Sequence, residues 1–299
     1  MARPRSAGRL RAASARHRDG GRRLLRGGRR HRRRARRPAA RPADRRGLIR
    51  AAIGEDGTIR IHVERHPGPD PVLLIHGFAT TGALTWEATG WVAALAEAGR
   101  GAIVPDLRGH GASDAPHDPA AYSPDLLAGD LLAMLDEQGL ERVDVVGYSM
   151  GSWVALALVG LAPQRVRRLV VGGVGTVEQF AHWGVAAVQR AILEGADTLP
   201  ADAPLAPLLA SLREAPGVDR EALAACAAGM AQHALPLASS VPTLLVAGDA
   251  DPVAQDADEA ARLLGAELVP LPRRNHITAL SARAFKQAAL PFLGASVSL

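Results

Sequence analysis

Ser149 is the residue whose surroundings point most directly to covalent chemistry. It is the centre of Gly147-Tyr148-Ser149-Met150-Gly151, a G-x-S-x-G spacing. The apolar run 143–146 before it predicts a buried strand, and the Ala- and Leu-rich stretch after it predicts a helix. A serine at such a strained corner needs very small residues two positions before and two after, so that the chain segments can pass. Its hydroxyl is exposed beside free helix N–H groups, which predicts a nucleophilic serine with an oxyanion site.

A serine nucleophile needs two further residue types, and the chain supplies both downstream of Ser149. A base must take the hydroxyl proton, and His276 follows the last predicted strand. A carboxylate must fix the imidazole tautomer and stabilise its cation, and both Asp249 and Asp251 follow the strand before it. The chain order is therefore serine, acid, histidine.

Strands and helices that could position these side chains alternate along the chain. Continuous apolar runs predict strands buried on both faces, and helical periodicity predicts the helices between them. The predicted strands are 58–64, 72–75, 102–104, 143–146, 166–171, 243–247 and 267–270, and the predicted helices are 85–98, 124–138, 150–161, 257–264 and 281–290. This alternation of strands and helices predicts an α/β fold with a mostly parallel, doubly wound sheet of about eight strands. The first predicted strand alternates apolar and polar residues and is expected at a sheet edge.

The alternation of strands and helices stops over residues 176–239, which are helical by composition, interrupted by prolines and without a strand candidate. We interpret this stretch as a small helical cap inserted into the fold. The predicted organisation is a core formed by 47–175 and 240–299, the cap at 176–239, and an extension at 1–46.

Reactive side chains concentrate in the loops that follow the predicted strands. In open α/β sheets, ligands bind outside the carboxyl ends of the strands. The loops at this edge hold His76-Gly77-Phe78, Asp106-Leu107-Arg108-Gly109-His110-Gly111, Ser149, Gly248-Asp249-Ala250-Asp251-Pro252 and Asn275-His276.

With these motifs the chain resembles the α/β-hydrolase family over roughly residues 55–293. Five motifs carry the resemblance: H-G-F at 76–78, D-L-R-G-H-G-A-S at 106–113, V-G-Y-S-M-G at 146–151, G-D-A-D-P-V at 248–253 and N-H-I-T at 275–278. Their order and spacing are specific for the fold and its catalytic machinery, and much less specific for a substrate.

The resemblance implies a role for each residue. Ser149 is the nucleophile, and His276 is the base that later acts as acid. The acid is the fourth residue of the family's G-x-x-D pattern, which is Asp251, so Asp249 is interpreted as a loop residue. Glu178, after the preceding strand, is a more distant candidate, because some members of the family place the acid there. The oxyanion hole is expected from the backbone N–H groups of Phe78 and Met150. Scaffolding roles are expected for His76, Asp106, Arg108 and His110.

The resemblance also separates branches of the family. Dehalogenases and epoxide hydrolases of this fold use an aspartate nucleophile, so Ser149 argues against both. The leading hypothesis is a serine hydrolase that cleaves a small ester or lactone through an acyl-enzyme. A C–C bond hydrolase of ring-cleavage products and a cofactor-free haloperoxidase-like enzyme share the triad and remain alternatives, and a ligand-binding receptor is the non-enzyme alternative. Ser152 stands where many members have a second glycine.

The predicted cap supplies candidate pocket walls. The strongest are Phe180, Trp183 and Met230, and further candidates are Leu205, Leu208 and Leu235. His182 and His233 are weaker candidates for residues facing the site. Packing between cap and core is an equally good explanation for each apolar residue.

Charge divides the chain into a basic extension and an acidic body. Residues 1–46 hold 19 Arg and two Asp, a net charge of +17, while the remainder carries −11. The extension lacks hydrophobic periodicity and is expected to be disordered. An Arg-rich, acid-poor segment resembles a transit peptide, and its arginines could neutralise the phosphates of a nucleic acid. We favour an upstream extension of a GC-rich reading frame, with the functional chain beginning near Gly47.

Composition bounds the remaining possibilities. The one cysteine, Cys226, excludes an internal disulfide and a cysteine-based zinc cluster, and fits a reducing compartment such as the cytoplasm. No apolar run approaches the length that spans a bilayer. We expect a small-molecule acyl substrate, no cofactor or metal, no membrane contact, and no nucleic acid bound by the folded body.

Overall fold

An eight-stranded sheet forms the centre of the fold in a computed structural model, which describes residues 46–53, 57–199, 203, 206, 209 and 218–294. The strands are β1 (Arg46–Ile53), β2 (Gly57–His66), β3 (Val72–Ile75), β4 (Ala102–Pro105), β5 (Val143–Tyr148), β6 (Val166–Gly172), β7 (Thr243–Gly248) and β8 (Glu267–Leu271). Their order across the sheet is β1-β2-β4-β3-β5-β6-β7-β8. The β1–β2 and β2–β4 pairs are antiparallel and all the others are parallel. The predicted mostly parallel sheet is confirmed.

The first strand was not predicted, and it changes the position of the second. β1 pairs with β2 from Arg46 opposite Glu64 to Ile53 opposite Gly57. The prediction that 58–64 forms an edge strand is therefore wrong, because β1 covers it. Arg46, the last residue of the predicted extension, begins β1, and the remainder of that extension lies outside the described residues.

Nine α-helices occur in the described part of the chain. They are α1 (Trp91–Glu97), α2 (Pro124–Glu137), α3 (Met150–Leu161), α4 (Gln179–His182), α5 (Val185–Leu193), α6 (Arg220–Met230), α7 (Ala257–Leu264), α8 (His276–Ser281) and α9 (Arg283–Phe292). Short 3₁₀ turns lie at Pro119–Ala121, Pro163–Arg165 and Ala196–Thr198. None of the described helices has the length and apolar character needed to cross a bilayer.

The helix predicted at 85–98 is instead two segments. A π-helical turn covers Ala83–Glu87, and α1 follows from Trp91 after Gly90, which has a left-handed φ of 78°. A residue in that conformation ends a helical segment. The helical periodicity on the two sides of Gly90 therefore belongs to two separate segments and not to one helix.

Helices cover both faces of the sheet, as a doubly wound fold requires. Leu73 and Ile75 of β3 belong to a core cluster on one face, together with residues of α2, α3 and α7. Val72 and Leu74 belong to a cluster on the opposite face, together with residues of α1 and α9. The alternation explains why this strand reads as a continuous apolar run.

The stretch predicted as an inserted cap contains α4, α5 and α6 and shows no strand in its described residues. Its Asp219 side chain caps α6 by accepting a hydrogen bond from the Ala222 N–H. Leu205 and Leu208, two of the candidate pocket residues, lie outside the described residues.

Close packing between β5, α3 and β3 requires glycine at two positions. A Cβ on Gly147 would lie 2.5 Å from the Gly151 carbonyl oxygen, and a Cβ on Gly151 would lie 2.2 Å from the Ile75 oxygen. Real Cβ atoms do not approach backbone this closely. The glycine spacing in the sequence therefore reflects a crossing of α3 over the end of β3.

Gly151→Ala is expected to destabilise the protein by about 3 kcal/mol, because an added methyl group in a packed interior forces backbone to move. Gly160→Ala is the matched control in the same helix, since its Cβ would meet nothing within 4 Å. The control is expected to raise stability by about 0.5–1 kcal/mol, the helical preference of alanine over glycine. Urea unfolding of the two variants would measure the difference, and equal stabilities would contradict the steric account.

Candidate active site

Ser149 sits at the tip of the turn between β5 and α3, with backbone angles φ 55° and ψ −126°. This is a left-handed conformation that non-glycine residues rarely adopt. The Ser149 N–H donates to the Gly172 oxygen of β6 over 2.8 Å, and the buried Ser152 hydroxyl donates to the same oxygen over 2.9 Å. The neighbouring strand thus holds the strained turn, and Ser152 supplies one of the bonds.

The structure brings together the three side chains expected to act on a substrate. Ser149 Oγ lies 2.9 Å from His276 Nε2, and His276 Nδ1 lies 2.9 and 3.1 Å from the two Asp251 carboxylate oxygens. A carboxylate only accepts, so Nδ1 carries the proton and Nε2 is free to accept the serine proton. Asp251 is almost fully buried, and it also accepts from the Val253 N–H.

Contacts between two loops fix the separation of Asp251 and His276. The Asp249 carboxylate accepts from the Arg273 N–H over 2.6 Å, and the Ala250 N–H donates to the Arg274 oxygen. Asp249 therefore joins the loop after β7 to the loop after β8. It does not contact the imidazole itself in the described hydrogen bonds, which distinguishes it from Asp251.

His276 is the first residue of α8, whereas the sequence placed it on a loop. Asn275 caps this helix through a reciprocal pair of bonds with Thr278. The Tyr148 hydroxyl donates to the His276 carbonyl oxygen over 2.5 Å. Tyr148, next to the nucleophile, is a positioning contact that the sequence did not reveal, because a tyrosine at this motif position has no distinctive spacing.

The Gly77–Phe78 peptide lies beside the nucleophile. A Cβ on Gly77 would lie 3.2 Å from the Ser149 Cβ. The Leu107 N–H donates to His76 Nε2, so the His76 proton is on Nδ1, which donates to the Gly77 oxygen over 2.7 Å. Because C=O and N–H of a trans peptide point in opposite directions, His76 turns the Phe78 N–H away from itself.

The second expected oxyanion donor belongs to Met150, the first residue of α3. The first N–H groups of a helix have no intrahelical acceptor, and the helix dipole favours negative charge near them. Phe78 and Met150 thus flank Ser149 from two different elements.

A cavity of about 310 Å³ opens above the reactive side chains. Its described lining is Gly77, Phe78, Thr80, Leu84, Thr85, Thr89, Tyr148, Ser149, His276, Ile277, Leu280 and Ser281. Apart from His276, no side chain in this lining is a charged type. Leu84 and Ile277 are 60% and 58% exposed and give the cavity an apolar rim. The sequence did not predict these lining residues. They lie in the segments after His76-Gly77-Phe78 and after His276, whereas the predicted pocket walls lie in the cap.

The residues predicted as pocket walls are placed elsewhere, which corrects that expectation. Phe180, Trp183 and Met230 do not appear in the described lining of the Ser149 cavity. Phe180 is buried and packs edge-on against Phe78 and Trp153, with ring centroids 4.8 and 5.8 Å apart. Trp183 lines a separate cavity with His182, and Met230 is buried in the core. Their apolar character serves packing, as the alternative explanation held.

Glu178, the distant candidate for the acid, has a structural role. Its carboxylate caps α4 by accepting from the Phe180 and Ala181 N–H groups. Burial raises the pKa of Glu178, and the His276 imidazole donates its Nδ1–H to Asp251 instead.

The loop after β4 is held by its own charged residues. Asp106 accepts from the Gly82 and Ala112 N–H groups, and Arg108 forms a buried two-bond ion pair with Asp130 at 2.6 and 2.8 Å. The scaffolding interpretation of this loop agrees with these contacts.

One group among the described residues could offer three metal-ligand atoms. Glu64, His66 and Glu87 bring such atoms within 4.8 Å of one another. None of the three lines the cavity that contains Ser149.

Two buried neutral imidazoles should make stability depend on pH. Burial lowers the pKa of His76, and burial together with His76 lowers the pKa of His110 to about 3. In the unfolded chain each titrates near 6.5. The stability from each neutral ring is complete above that pH and falls by about 1.4 kcal/mol per unit as the pH drops toward the folded value.

The difference in unfolding free energy between wild type and His110→Asn should therefore shrink by about 2 kcal/mol between pH 7 and pH 5. Urea unfolding at both values measures it, with wild type and variant compared in the same buffers. Parallel pH dependences for the two proteins would contradict the prediction.

The chain is similar in sequence to known hydrolases. Residues 70–193 match the family model described as alpha/beta hydrolase fold. "Epoxide hydrolase 3" of Siraitia grosvenorii is 36% identical over 112 residues, which is 38% of this chain and 34% of that protein. "2-hydroxymuconate semialdehyde hydrolase" of Pseudomonas sp. (strain CF600) is 38% identical over 103 residues, 34% of this chain and 36% of that protein. The matches thus span about a third of these curated relatives.

Structural similarity to solved proteins extends over most of the chain. An enol-lactonase from Burkholderia xenovorans LB400 is 26% identical with a TM-score of 0.66, and the match covers 79% of this chain and 97% of that one. The chain therefore shares its overall fold with that enol-lactonase.

Proposed function

Because residues 70–193 match the alpha/beta hydrolase fold family, we propose that this chain is a serine hydrolase that cleaves a small carboxylic ester or lactone through an acyl-enzyme. The observation that carries the proposal is the hydrogen-bonded series Ser149–His276–Asp251, with a distance of 2.9 Å at each of its two junctions. The buried carboxylate, the fixed tautomer and the strained serine are the parts that nucleophilic catalysis by serine needs.

In the proposed reaction, Ser149 Oγ bonds to the substrate carbonyl carbon while its proton passes to His276 Nε2. The tetrahedral oxyanion is stabilised by the Phe78 and Met150 N–H groups. His276 then returns the proton to the leaving oxygen as the ester bond breaks. A water molecule, deprotonated by His276, releases the acid and restores Ser149. Asp251 stabilises the imidazolium at both stages.

The cavity favours a small apolar substrate. Its volume is about 310 Å³, and its rim carries Leu84 and Ile277. A neutral ester or lactone can be desolvated there at little cost, whereas a charged group would find no described counter-ion in the lining. We propose a small molecule as the substrate. A cytoplasmic location is part of the proposal, because the one cysteine, Cys226, is buried and unpaired.

The chemistry of a serine nucleophile disfavours epoxide opening, although the chain is similar to a protein named epoxide hydrolase. A carboxylate that opens an epoxide forms an ester, which water can hydrolyse. A serine that opened an epoxide would form an ether, and the enzyme would stay alkylated. Ser149 therefore favours acyl transfer over epoxide opening.

A C–C bond hydrolase is the second candidate, favoured by the similarity to 2-hydroxymuconate semialdehyde hydrolase. Steady-state rates on aryl esters, lactones and vinylogous 1,5-diketones would rank the two activities. A receptor on the same fold would leave Ser149 unlabelled by a fluorophosphonate probe, whereas a serine hydrolase would be labelled.

Ser149→Ala is expected to lower turnover of a short-chain aryl ester by about 10⁴–10⁶-fold, because the attacking oxygen is lost. Ser281→Ala is the matched control, since Ser281 lines the same cavity and has no base assigned to it. Initial rates of nitrophenol release would measure both. Near-normal turnover by Ser149→Ala would disprove the assignment.

Asp251→Asn is expected to reduce kcat by about 10⁴-fold, since an amide cannot hold the required imidazole tautomer or balance its positive charge. Asp249→Asn retains an oxygen acceptor for the Arg273 N–H and should lose far less. Equal losses in the two variants would show that the acid had been assigned to the wrong residue.

A further inference from the structure

A second cavity, of about 280 Å³, lies against the catalytic cavity. The two linings share Thr80 and Leu84, so these two residues form a common wall. Apart from this pair, none of the described residues lines both cavities. The rest of the second lining comes from residues 79–81, from the loop 109–115 after β4, and from residues 218–223 around the start of α6.

The two residues of the common wall differ in how firmly they are held. The Thr80 hydroxyl lies 3.2 Å from the hydroxyl of Thr85, which is buried. Leu84 lies in the π-helical turn Ala83–Glu87, and its N–H donates to Thr81 Oγ1 over 3.2 Å. The Leu84 side chain, however, is 60% exposed. A substitution at Leu84 therefore alters the wall and leaves the hydrophobic core intact.

The chemistry of the proposed reaction decides which half of a substrate meets this wall. His276 gives its proton to the leaving oxygen, so the leaving group lies beside His276, where Ile277 and Leu280 continue the lining. The acyl group is bonded to the other side of the carbonyl carbon. Leu84 belongs to the segment that follows the Gly77–Phe78 peptide, and we take the acyl group to extend toward it.

The second cavity suits an uncharged, apolar chain. Val218 and Leu223 offer apolar surface, and the described lining contains no Lys or Arg. Its one carboxylate, Asp219, already accepts from the Ala222 N–H and from His117 Nε2. An alkyl chain can be buried against the apolar surface, whereas a chain that ends in a carboxylate would be repelled by Asp219.

The catalytic cavity alone is small for an organic substrate. Its volume of about 310 Å³ is at the lower end of the range of about 300–1,000 Å³ that is typical of small-molecule sites. Joining the second cavity to it would nearly double the space above Ser149. The Leu84 side chain stands where the two would join.

We propose that Leu84 determines the length of the acyl group, because its side chain closes the catalytic cavity toward the second cavity. The inference rests on the proposed function, since it concerns the acyl half of the same substrate. It makes the wild-type protein a hydrolase of short acyl groups. Shortening Leu84 opens the second cavity to the alkyl chain of a longer acyl group.

Two series of esters test this proposal. The kcat/KM is measured for 4-nitrophenyl esters from acetate to decanoate, which vary the acyl group, and for methyl to octyl butanoates, which vary the alcohol. Wild-type activity should fall in the acyl series once the chain reaches Leu84. In Leu84→Ala it should instead rise over the next carbons, by up to about four-fold for each methylene buried.

The alcohol series should have the same profile in Leu84→Ala and in wild type, because the leaving group lies on the other side of the cavity. An unchanged acyl profile in Leu84→Ala would overturn the proposal. So would a shift confined to the alcohol series, or a wild type that hydrolyses decanoate as well as butanoate.

Ile277→Ala is the matched control. Ile277 is 58% exposed, has as many carbons as Leu84, and lines only the catalytic cavity. Its acyl profile should follow that of the wild type. Equal shifts in Ile277→Ala and Leu84→Ala would show that any opening of the rim admits longer chains, and would overturn the specific role of Leu84.

A double variant tests where the longer chain lies. Val218→Trp adds an indole to the wall of the second cavity, so Leu84→Ala combined with Val218→Trp should regain the preference for short acyl groups. The ratio of decanoate to butanoate activity is taken within each variant, which cancels any general loss of folded protein or turnover. Persistence of the longer profile in the double variant would show that the chain does not enter the second cavity.

The same esters separate this proposal from the proposed function. If Ser149→Ala hydrolyses the acyl series at the wild-type rate, the proposed function fails. If hydrolysis requires Ser149 but Leu84→Ala keeps the wild-type acyl profile, only the role of Leu84 fails.

Discussion

The crossing of α3 over the end of β3 is the contact on which the site depends. Gly151 approaches the Ile75 and His76 oxygens so closely that no Cβ fits between them. This crossing places Ser149 beside the Gly77–Phe78 peptide, and it forces the turn into a conformation that a serine adopts only under constraint. The constraint comes from β6, whose Gly172 oxygen accepts from both Ser149 and Ser152.

The rest of the site is built by joining loops that lie far apart in the sequence. Asp249 and Ala250 bond to Arg273 and Arg274, so the loop bearing Asp251 is hydrogen-bonded to the loop leading to His276. Tyr148 then ties His276 back to the strand that carries the nucleophile. Such preorganisation matters because the donor–acceptor distances of a catalytic series must be met before a substrate arrives.

Buried histidines serve this preorganisation as neutral hydrogen-bonding groups. His76 accepts from the β4 loop at Leu107 and donates to Gly77, and burial lowers its pKa. A charged imidazole at that position could not accept the Leu107 bond. His110 packs against the rings of His76 and Phe78, and its Nε2 has no hydrogen-bond partner among the described residues. His76 therefore uses both ring nitrogens in hydrogen bonds, whereas His110 uses only Nδ1 among the described residues.

The sequence alone determined features that depend on local stereochemistry. Gly147 and Gly151 flank Ser149 because of a steric need that the spacing records, and apolar runs such as 72–75 record burial on both faces. The sheet class and the helices that alternate with its strands follow from such patterns. β1 escaped prediction because Arg46–Ile53 has no clear alternation, and its strand state comes from pairing with β2.

Tertiary structure alone decided which side chains enclose the substrate space. Phe180 and Met230 are apolar residues of helices between β6 and β7 and pack into the interior, while Leu84 and Ile277 line the cavity. A core position and a cavity wall both suit an apolar residue, so the hydrophobic pattern of the sequence does not distinguish one from the other. Asp249 and Asp251 are only two residues apart, and residue types and spacing without the family pattern do not separate them; in the fold, with β7 paired to β8, the Asp251 carboxylate meets His276. Contacts between remote elements, which sequence spacing does not record, made these decisions.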